Sequence, residues 1–530
     1  MIILIILFCF LVRVLPRIKA LNGLDYDTYF HYALVNKIKK NKYKIPKYWN
    51  NVVLLKSPIG YPYLYHLIVS IFPKKYWNKI ESFSSAIFDS ILICITYLFL
   101  KKINFQFENA CILVAFLCAS AIGFLRLGIG PRAYSGTPRT LGQLLYYVHI
   151  FTYIIYFLYG NEMYLLFSIV AASLIFITSY FATQVLIFFS LLIVLSTNFN
   201  YLLFIIISYA ISILISKGKC LSIFITYFKK LRFYTFYLKN IRSDLNSKFN
   251  TSFKSYKKNI IDILFLVFKK KDFYNAVNMF FSERNFLHLF VFIYYPCSIS
   301  IIYYTSTISN ITIEQKIFLL WTIAGVLWYF LTKSKVLKSF GEGERYLEFS
   351  LIPSTILLVD LLLKYESYFL ISIMIFYNLF SAMFFYLKAK NKFNSNNKTY
   401  DNLSLVFKKL ETFEPGTVWP LIHLDWQCLY FLEDSYFKVI SNNGCPQLNL
   451  RDFNGLKEFM LIRGNYPYPS TNFKKVIKNY KVKYIVAENN AFEYYKKNIL
   501  NKKGSDNLNS IISKILTEDT ISLYEVQDII

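Results

Sequence analysis

Apolar runs long enough to cross a lipid bilayer recur along most of this chain. A bilayer core is about 30 Å thick, so a helix that crosses it needs about 20 mostly apolar residues. Backbone polar groups inside the hydrocarbon layer must be paired within the chain, which predicts α-helices for these runs. The windows lie at 1–15, 84–100, 109–125, 143–159, 163–180, 182–197, 200–215, 286–304, 315–332, 347–363 and 367–387. The chain is therefore predicted to be a polytopic α-helical membrane protein with about 11 transmembrane helices.

Two long hydrophilic segments interrupt these windows, at 16–83 and 217–285, and a hydrophilic tail follows the last window. We predict a transmembrane domain over 1–389 and a small soluble domain of mixed α/β type over 390–530. In the tail, Val482–Ala487 and Thr520–Val526 have the composition of strands, and Phe492–Ile499 that of a helix. Residues 391–397 are rich in Asn and are predicted to form a polar linker.

The chain is strongly basic, with a formal net charge of +28 from 59 Lys and Arg against 31 Asp and Glu. Most lysines flank apolar runs and no Arg-rich module is present, which favours contact with membrane lipids and argues against nucleic-acid binding. Segment 217–285 alternates Lys pairs with large apolar residues. Stretches 221–238 and 260–271 are interpreted as basic amphipathic helices in the membrane interface, the alternative being a solvated loop with hydrophobic anchors.

The parity of the predicted spans bears on topology. With eleven spans and a cytoplasmic N-terminus, both long loops and the C-terminal domain lie on the extracytoplasmic side of a multi-pass cell-membrane protein. The positive-inside rule counts charges in short loops, and the short loops here carry few. The parity therefore carries the expectation that the polar motifs share one side of the membrane.

The first long loop begins with an acidic pair in the sequence Gly23-Leu-Asp25-Tyr-Asp27-Thr-Tyr29-Phe30-His31. Two carboxylates beside a histidine can hold a divalent cation through hard oxygen ligands, or one of them can act as a general base. Isolated Asp-x-Asp pairs are more often solvated charges. This pair, however, directly follows the first span and so is predicted to lie at the membrane surface.

Two other polar motifs border apolar windows. The loop after the third window reads Arg126-Leu-Gly-Ile-Gly-Pro-Arg132-Ala-Tyr134-Ser-Gly-Thr-Pro-Arg139-Thr140. Its arginines suit a phosphate group, because the planar guanidinium matches phosphate oxygens; contact with lipid headgroups is the alternative.

The second polar motif, Gly341-Glu342-Gly-Glu344-Arg345, leads into the tenth window, and charges at membrane depth are costly and usually functional. Asp89, inside the second window, is interpreted instead as a buried hydrogen-bond acceptor.

These features together resemble the membrane glycosyltransferases of the GT-C fold, which include oligosaccharyltransferases and enzymes that use dolichyl- or undecaprenyl-phosphate sugars. The resemblance is carried by the single first span, the GLDYDTYFH loop, the PRAYSGTPRT loop after the third span and GEGERYLEFS entering a late span. A small C-terminal mixed domain ending in TISLYEV also fits. The resemblance in architecture covers the whole chain, and the motifs that carry it are short.

The resemblance implies a GT-C-like fold and roles for particular residues. The acidic motif supplies the catalytic base or a metal ligand, with Asp27 preferred over Asp25 as the base because it precedes Tyr29-Phe30-His31. Implied substrate-binding residues are Arg132, Arg139, Arg345, Tyr134, His31 and His66. A divalent metal ion, Mg or Mn, would be held by Asp25, Asp27, Glu344 and Glu342.

The implied reaction moves a sugar from a polyprenyl-phosphate-linked donor to a hydroxyl or amide acceptor on a glycan, lipid or protein. The tail lacks the W-W-D-Y-G motif of oligosaccharyltransferases, since Trp419-Pro420 and Asp425-Trp426 do not reproduce it, so a single-sugar transfer is favoured over peptide recognition. Two other functions stay open, a transporter or flippase of lipid-linked sugars and a non-catalytic protein of envelope assembly. Neither requires the acidic pair.

Overall fold

The computed structural model describes residues 1–46, 60–105, 107–125, 136–233, 235, 253–282, 285–286, 289–334, 337–341, 343–421, 424–440, 473–497 and 511–527. The described chain is mostly helical, with one small sheet near its C-terminus. This agrees with the predicted class of a helical membrane protein that carries a mixed C-terminal domain.

The helices of the first half are α1 (Ile2–Val14), α2 (Tyr26–Lys40), α3 (Leu64–Ile71), α4 (Trp77–Lys102), α5 (Glu108–Ser120), α6 (Ile122–Leu125), α7 (Pro138–Tyr159), α8 (Glu162–Ile175), α9 (Tyr180–Ile193), α10 (Asn200–Ile215) and α11 (Lys219–Phe233). Those of the second half are α12 (Phe253–Phe268), α13 (Phe273–Phe280), α14 (Phe290–Tyr294), α15 (Ser300–Ser306), α16 (Ile313–Lys333), α17 (Glu344–Glu348), α18 (Leu351–Lys364), α19 (Tyr368–Leu410), α20 (Asp425–Phe431), α21 (Phe473–Tyr480) and α22 (Asn489–Tyr495). Short 3₁₀ helices cover Lys74–Tyr76, Pro296–Ile299, Ile308–Asn310 and Leu337–Phe340.

Five helical segments in the described part of the chain are long and apolar enough to cross a membrane: Lys74–Lys102, Glu108–Leu125, Pro138–Tyr159, Ile313–Lys333 and Tyr368–Leu410. A bent pair, Asn200–Ile215 with Lys219–Lys229, adds a sixth if it counts as one broken span, with an angle of 113° between its parts. Three shorter apolar helices, Ile2–Val14, Glu162–Ile175 and Tyr180–Ile193, accompany them. The chain thus has the helices of a multi-pass membrane protein.

One predicted span is interrupted. The window 286–304, expected as a single helix, contains α14, a 3₁₀ turn over Pro296–Ile299 and then α15. Pro296 explains the break, because proline has no N–H to donate to the preceding turn and its ring clashes with that turn.

The predicted polar linker is wrong. Residues 391–397 lie inside α19, a continuous helix of 43 residues that extends from the bundle to the tail. The Asn-rich composition suggested a linker, but tertiary contacts hold the helix here. Phe393 is fully buried, and Lys392 and Asn396 both bind Asp25 of the first loop.

The tail contains a five-stranded mixed sheet of β1 (Thr417–Leu421), β2 (Lys438–Val439), β3 (Val482–Glu488), β4 (Ile512–Glu518) and β5 (Ile521–Val526), in the order β2-β1-β3-β5-β4. Strand β1 is parallel to β2 and β3, whereas β5 is antiparallel to β3 and β4. The predicted strands over 482–487 and 520–526 are confirmed as β3 and β5. The predicted helix over 492–499 is described as α22, which begins at Asn489 and ends at Tyr495.

Two buried ion pairs join α1, with the turn that follows it, to α4. Arg13 Nε lies 2.7 Å from Asp89 Oδ2. Arg17, in the turn after α1, pairs with Glu81, which precedes Asp89 on α4. Both arginine side chains are fully buried, and the two acids are almost so. Arg13 also donates to the carbonyl oxygens of Cys9 and Ala119. Asp89 is therefore a buried acceptor, as expected, and its partner is an arginine that sequence reasoning did not assign.

Replacing Asp89 by Asn should destabilise the protein by about 3 kcal/mol or more, because it leaves the Arg13 guanidinium buried beside a neutral amide. The measurement is the thermal unfolding midpoint of the purified protein in detergent. Glu108→Gln is the matched control, since Glu108 pairs with Lys101 on the surface, and its midpoint should equal that of the wild type. Equal midpoints for D89N and the wild type would show that the pair carries little of the stability.

Candidate functional site

The acidic pair of the first loop lies at the start of α2. Asp25 is the N-cap residue, with extended backbone angles, and Asp27 belongs to the first turn. Negative charge is favoured at a helix N-terminus because unpaired N–H groups and the helix dipole point there. The two carboxylates nevertheless differ in surroundings. Asp25 is only 6% exposed, whereas Asp27 is exposed.

Asp25 is held by the extension of α19. Lys392 Nζ lies 2.7 Å from Asp25 Oδ1, and Asn396 donates to the same oxygen at 3.4 Å. Gly23 permits this approach, because a Cβ at that position would overlap the carbonyl oxygen of Phe393 on the same helix. The contacts give Asp25 a positioning role, and they leave Asp27 as the member of the pair that faces solvent.

A second set of contacts ties α2 to α4. The carboxylate of Glu81, which pairs with Arg17, also accepts a hydrogen bond from the hydroxyl of Thr28 at 3.2 Å. The Arg17 guanidinium lies 4.9 Å from the centre of the Phe393 ring. The turn that carries Asp27 is thus fixed between α4 and α19 by buried charges.

Two histidines predicted to contact substrate form a buried pair. His31 Nδ1 and His66 Nε2 are 2.9 Å apart, and the side chains are 6% and 0% exposed. Burial lowers the pKa of His31 to about 3 and holds that of His66 well below its ordinary value. Both rings are therefore neutral near pH 7, so one nitrogen of the pair donates and the other accepts.

Asp27 and His31 lie four residues apart on α2 and so share one helix face. The burial of the histidine pair places it beneath this face, where it supports Asp27 more than it presents itself to solvent.

Tyr61 brings the first loop together with the Gly-Glu-Gly-Glu-Arg motif. Its ring lies 6.0 Å from that of His31 and 5.6 Å from that of His66. Burial raises the pKa of the Tyr61 hydroxyl, the charge of Asp27 raises it further and the charge of Arg345 lowers it. The Tyr61 ring also contacts Tyr180, with ring centres 5.4 Å apart, and Tyr180 precedes the Phe181 ring under Arg345, so the first loop and Arg345 border the same region.

Arg345 itself lies over the ring of Phe181 at the start of α9, with its guanidinium carbon 5.6 Å from the ring centre. Its side chain is half-buried.

The Arg-rich loop approaches from a third direction. Arg139, in the first turn of α7, pairs through Nη2 with both carboxylate oxygens of Glu348 on α17. Gly136 packs so closely on Tyr65 and Ser84 that a Cβ there would overlap their side-chain oxygens. The end of this loop therefore lies against α3, α4 and α17. Arg132 and Tyr134, predicted to bind substrate, lie outside the described residues.

Two of the residues predicted to hold a metal ion are paired with lysines in the part of the chain that the structure describes. Asp25 is neutralised by Lys392, and Glu344 is neutralised by Lys333, whose Nζ lies 3.2 Å from Glu344 Oε2. Among the described residues, no three His, Cys, Asp or Glu side chains group together as ligands. Glu342 lies outside these residues.

The tail packs on α2 beside α19. In α20, Trp426 packs on Phe30 with ring centres 4.5 Å apart, and Tyr430 packs on Tyr29 at 5.6 Å. The first loop, the ends of the polar motifs and the tail therefore gather at one end of the helix bundle. Sequence reasoning missed Lys392, Tyr61 and Trp426 as parts of this region.

No family model matches the chain, and no curated protein matches it either.

Two neighbouring carboxylates at the contact between tail and first loop have opposite electrostatic environments. Burial raises the pKa of Glu433 to about 7, although Lys37 and Lys40 partly oppose it. Burial acts in the same direction on Asp434, but hydrogen bonds from Lys40 and Lys74 outweigh it and lower its pKa. The charged form is thus disfavoured at Glu433 and favoured at Asp434.

Glu433→Gln should stabilise the protein at pH 8, by up to about 3 kcal/mol, because a buried negative charge is removed. The gain should shrink as pH falls from 7 toward 4.5, since Glu433 becomes protonated in the folded state and then also in the unfolded state.

Asp434→Asn should instead lower stability at pH 8, and that loss should disappear as pH falls below the ordinary pKa of aspartate. Unfolding midpoints at several pH values measure both. A pH-independent effect of E433Q would contradict this account.

Proposed function

We propose that the protein is a membrane glycosyltransferase of GT-C type that moves a sugar from a polyprenyl-phosphate-linked donor to a hydroxyl or amide acceptor. The observation that carries this proposal is the position of Tyr61 at one end of an apolar helix bundle, between His31 on the Asp27 helix and Tyr180, the neighbour of the Phe181 ring that Arg345 covers. An exposed carboxylate and a cation that face one region provide a base for the acceptor and a partner for the departing phosphate.

The reaction needs one bond formed and one broken. The Asp27 carboxylate takes the proton of the acceptor hydroxyl, whose oxygen bonds to the anomeric carbon of the sugar. The bond from that carbon to the phosphate oxygen breaks, and the polyprenyl phosphate leaves with the electron pair on that oxygen. Arg345, and Arg132 from the Arg-rich loop, would stabilise the negative charge that develops there. Asp25 positions α2 through Lys392, and no step passes through a metal ion.

Arg139 has a different place in this scheme. Its pairing with Glu348 joins the start of α7 to α17, and α17 begins with Glu344 and Arg345. We therefore assign Arg139 the role of positioning the motif that contains Arg345, in place of the direct phosphate contact expected from sequence.

The lipid part of the donor requires an apolar surface next to these charges. A small cavity lies between α8, α9 and α11, lined by Phe176, Tyr180, Thr183, Cys220, Ile223, Phe224 and Tyr227. Tyr180 from this lining contacts the Tyr61 ring, with ring centres 5.4 Å apart. This cavity is too small for a polyprenyl chain, so the lipid part of the donor would lie along the exposed apolar sides of the helices around it.

The number of spans and the side of the membrane on which the loops lie are part of the same proposal. The five long helices, the bent pair, the three shorter apolar helices, the interrupted window 286–304 and α18 would together make eleven spans. The first loop and the tail would lie on the extracytoplasmic side of the cell membrane. Their mutual packing through Trp426 and Phe30 supports a common side for both. A transporter of lipid-linked sugars would also need the apolar helices. The fixation of Asp27 by two sets of buried charges favours the enzyme, because a catalytic base must be held in place.

Asp27→Asn should lower the rate of sugar transfer by at least about a hundredfold while leaving the fold intact, since it removes the base and preserves the shape of the side chain. Transfer from a radiolabelled polyprenyl-phosphate sugar in isolated membranes measures the rate. Asp401→Asn, at an exposed position on α19, is the control and should retain wild-type transfer. Full transfer by D27N, with expression equal to the wild type, would contradict the assigned mechanism.

Reporter fusions test the sidedness. Alkaline phosphatase joined within 16–83 or after 390 should be active, and green fluorescent protein joined at the same places should be dark, if both segments are extracytoplasmic. Fusions in the short turn between α7 and α8 should give the opposite pattern. A fluorescent fusion within 16–83, or after 390 in the tail that packs on this loop, would place the acidic pair in the cytoplasm, away from an extracytoplasmic donor.

A further inference from the structure

Helix α12 carries an apolar stripe that no other part of the described chain covers. Ile260, Ile261, Leu264, Phe265 and Phe268 are between 43% and 77% exposed. Their spacing places them on one face of the helix. The opposite face meets the protein, where the buried Asn259 donates to the carbonyl oxygen of Asn285 at 2.9 Å.

Exposed lysines stand at both ends of this stripe. Lys257 and Lys258 precede it, and Lys269, Lys270 and Lys271 follow it. The ammonium groups of Lys269 and Lys270 each lie 5.5 Å from the centre of the Phe265 ring, so the cations border the apolar surface directly. Asp272, the next acid, caps α13 by accepting from the backbone N–H of Asn275 at 3.1 Å. Hydrogen bonds from Asn275, and also the charge of Lys270, lower the pKa of Asp272, but five lysines border the stripe against only two acids in this stretch, Asp262 and Asp272.

The helices α12 and α13 are fixed to the bundle near the candidate site. Asn278 of α13 accepts a hydrogen bond from Lys388 at 2.9 Å, and Tyr274 packs on Phe384 with ring centres 5.7 Å apart. Both partners lie on α19, and Lys388 is one helical turn before Lys392, which holds Asp25. The α12–α13 pair thus borders the same end of the bundle as the acidic loop.

We propose that α12 and α13 lie in the plane of the membrane interface and bind the anionic phospholipids of that leaflet. Helix α12 has 16 residues and is not among the helices of the described chain that are long and apolar enough to span a bilayer. An exposed apolar stripe with lysines at each end suits the boundary between acyl chains and headgroups, where the cations meet negative phosphates. This inference goes beyond the proposed sugar transfer and does not depend on it.

Hydrogen exchange of the full-length protein in lipid nanodiscs tests the proposal. Peptides covering 253–271 should exchange at least about tenfold more slowly in discs of phosphatidylcholine with 30% phosphatidylglycerol than in phosphatidylcholine alone. The triple variant K269Q/K270Q/K271Q should lose this lipid-dependent difference, as should the wild type in high salt. The matched control is K474Q/K475Q/K478Q, which removes three exposed lysines from α21 of the tail and should behave as the wild type.

Other outcomes would overturn the proposal. Equal exchange in the two lipid mixtures would show that headgroup charge does not act on this surface. A lipid-dependent difference that persists in K269Q/K270Q/K271Q would assign it to another part of the protein. Protection that appears only with two protein copies per disc would show that a second copy, and not the leaflet, covers the stripe.

Discussion

The buried pairs Arg13–Asp89 and Arg17–Glu81 are the constraint on which the arrangement of the polar end depends. A charged side chain inside a membrane protein is tolerated only where a partner neutralises it, so each arginine fixes the place of one acid on α4. The later arginine pairs with the earlier acid, which follows from two segments running past each other in opposite directions. The two pairs set both the register and the rotation of α1 against α4.

From these two pairs, a short chain of contacts leads to the exposed carboxylate. Glu81, which neutralises Arg17, also accepts from Thr28, and Thr28 belongs to the same turn of α2 as Asp27. Arg17 rests on Phe393, whose neighbour Lys392 binds Asp25. The position of Asp27 therefore depends on the buried Arg17–Glu81 pair next to its own turn and on a helix 371 residues further along the chain.

The sequence predicted the general class and several local elements. Apolar windows indicate helices because lipid imposes internal hydrogen bonding, and strands β3 and β5 were predictable from their β-branched and aromatic composition. The failures have physical causes. Pro296 divides a window whose hydropathy alone is continuous, and the Asn-rich segment 391–397 is helical because it packs on the first loop.

Pairings between distant residues could not be predicted from one sequence. Nothing local in Lys392 distinguishes it from the many other lysines that flank apolar runs, and Tyr61 is one of 45 tyrosines. The Asp-x-Asp pair was visible from its position after the first span. Which of the two aspartates is buried and which is exposed could be learned only from the fold, because both have the same chemistry and differ only in what lies against them.

The continuous helix α19 fixes how far Lys392 lies from the start of the helix. At 1.5 Å per residue its 43 residues extend for about 65 Å, roughly twice the thickness of a hydrocarbon core. Lys392 comes 24 residues after Tyr368, about 36 Å along the helix axis. If the helix enters the lipid near its first residue, Lys392 and the carboxylate that it holds stand just beyond the acyl chains. The length of the helix then fixes the distance of the acidic loop from the far side of the hydrocarbon core and places it at the level of the lipid phosphates.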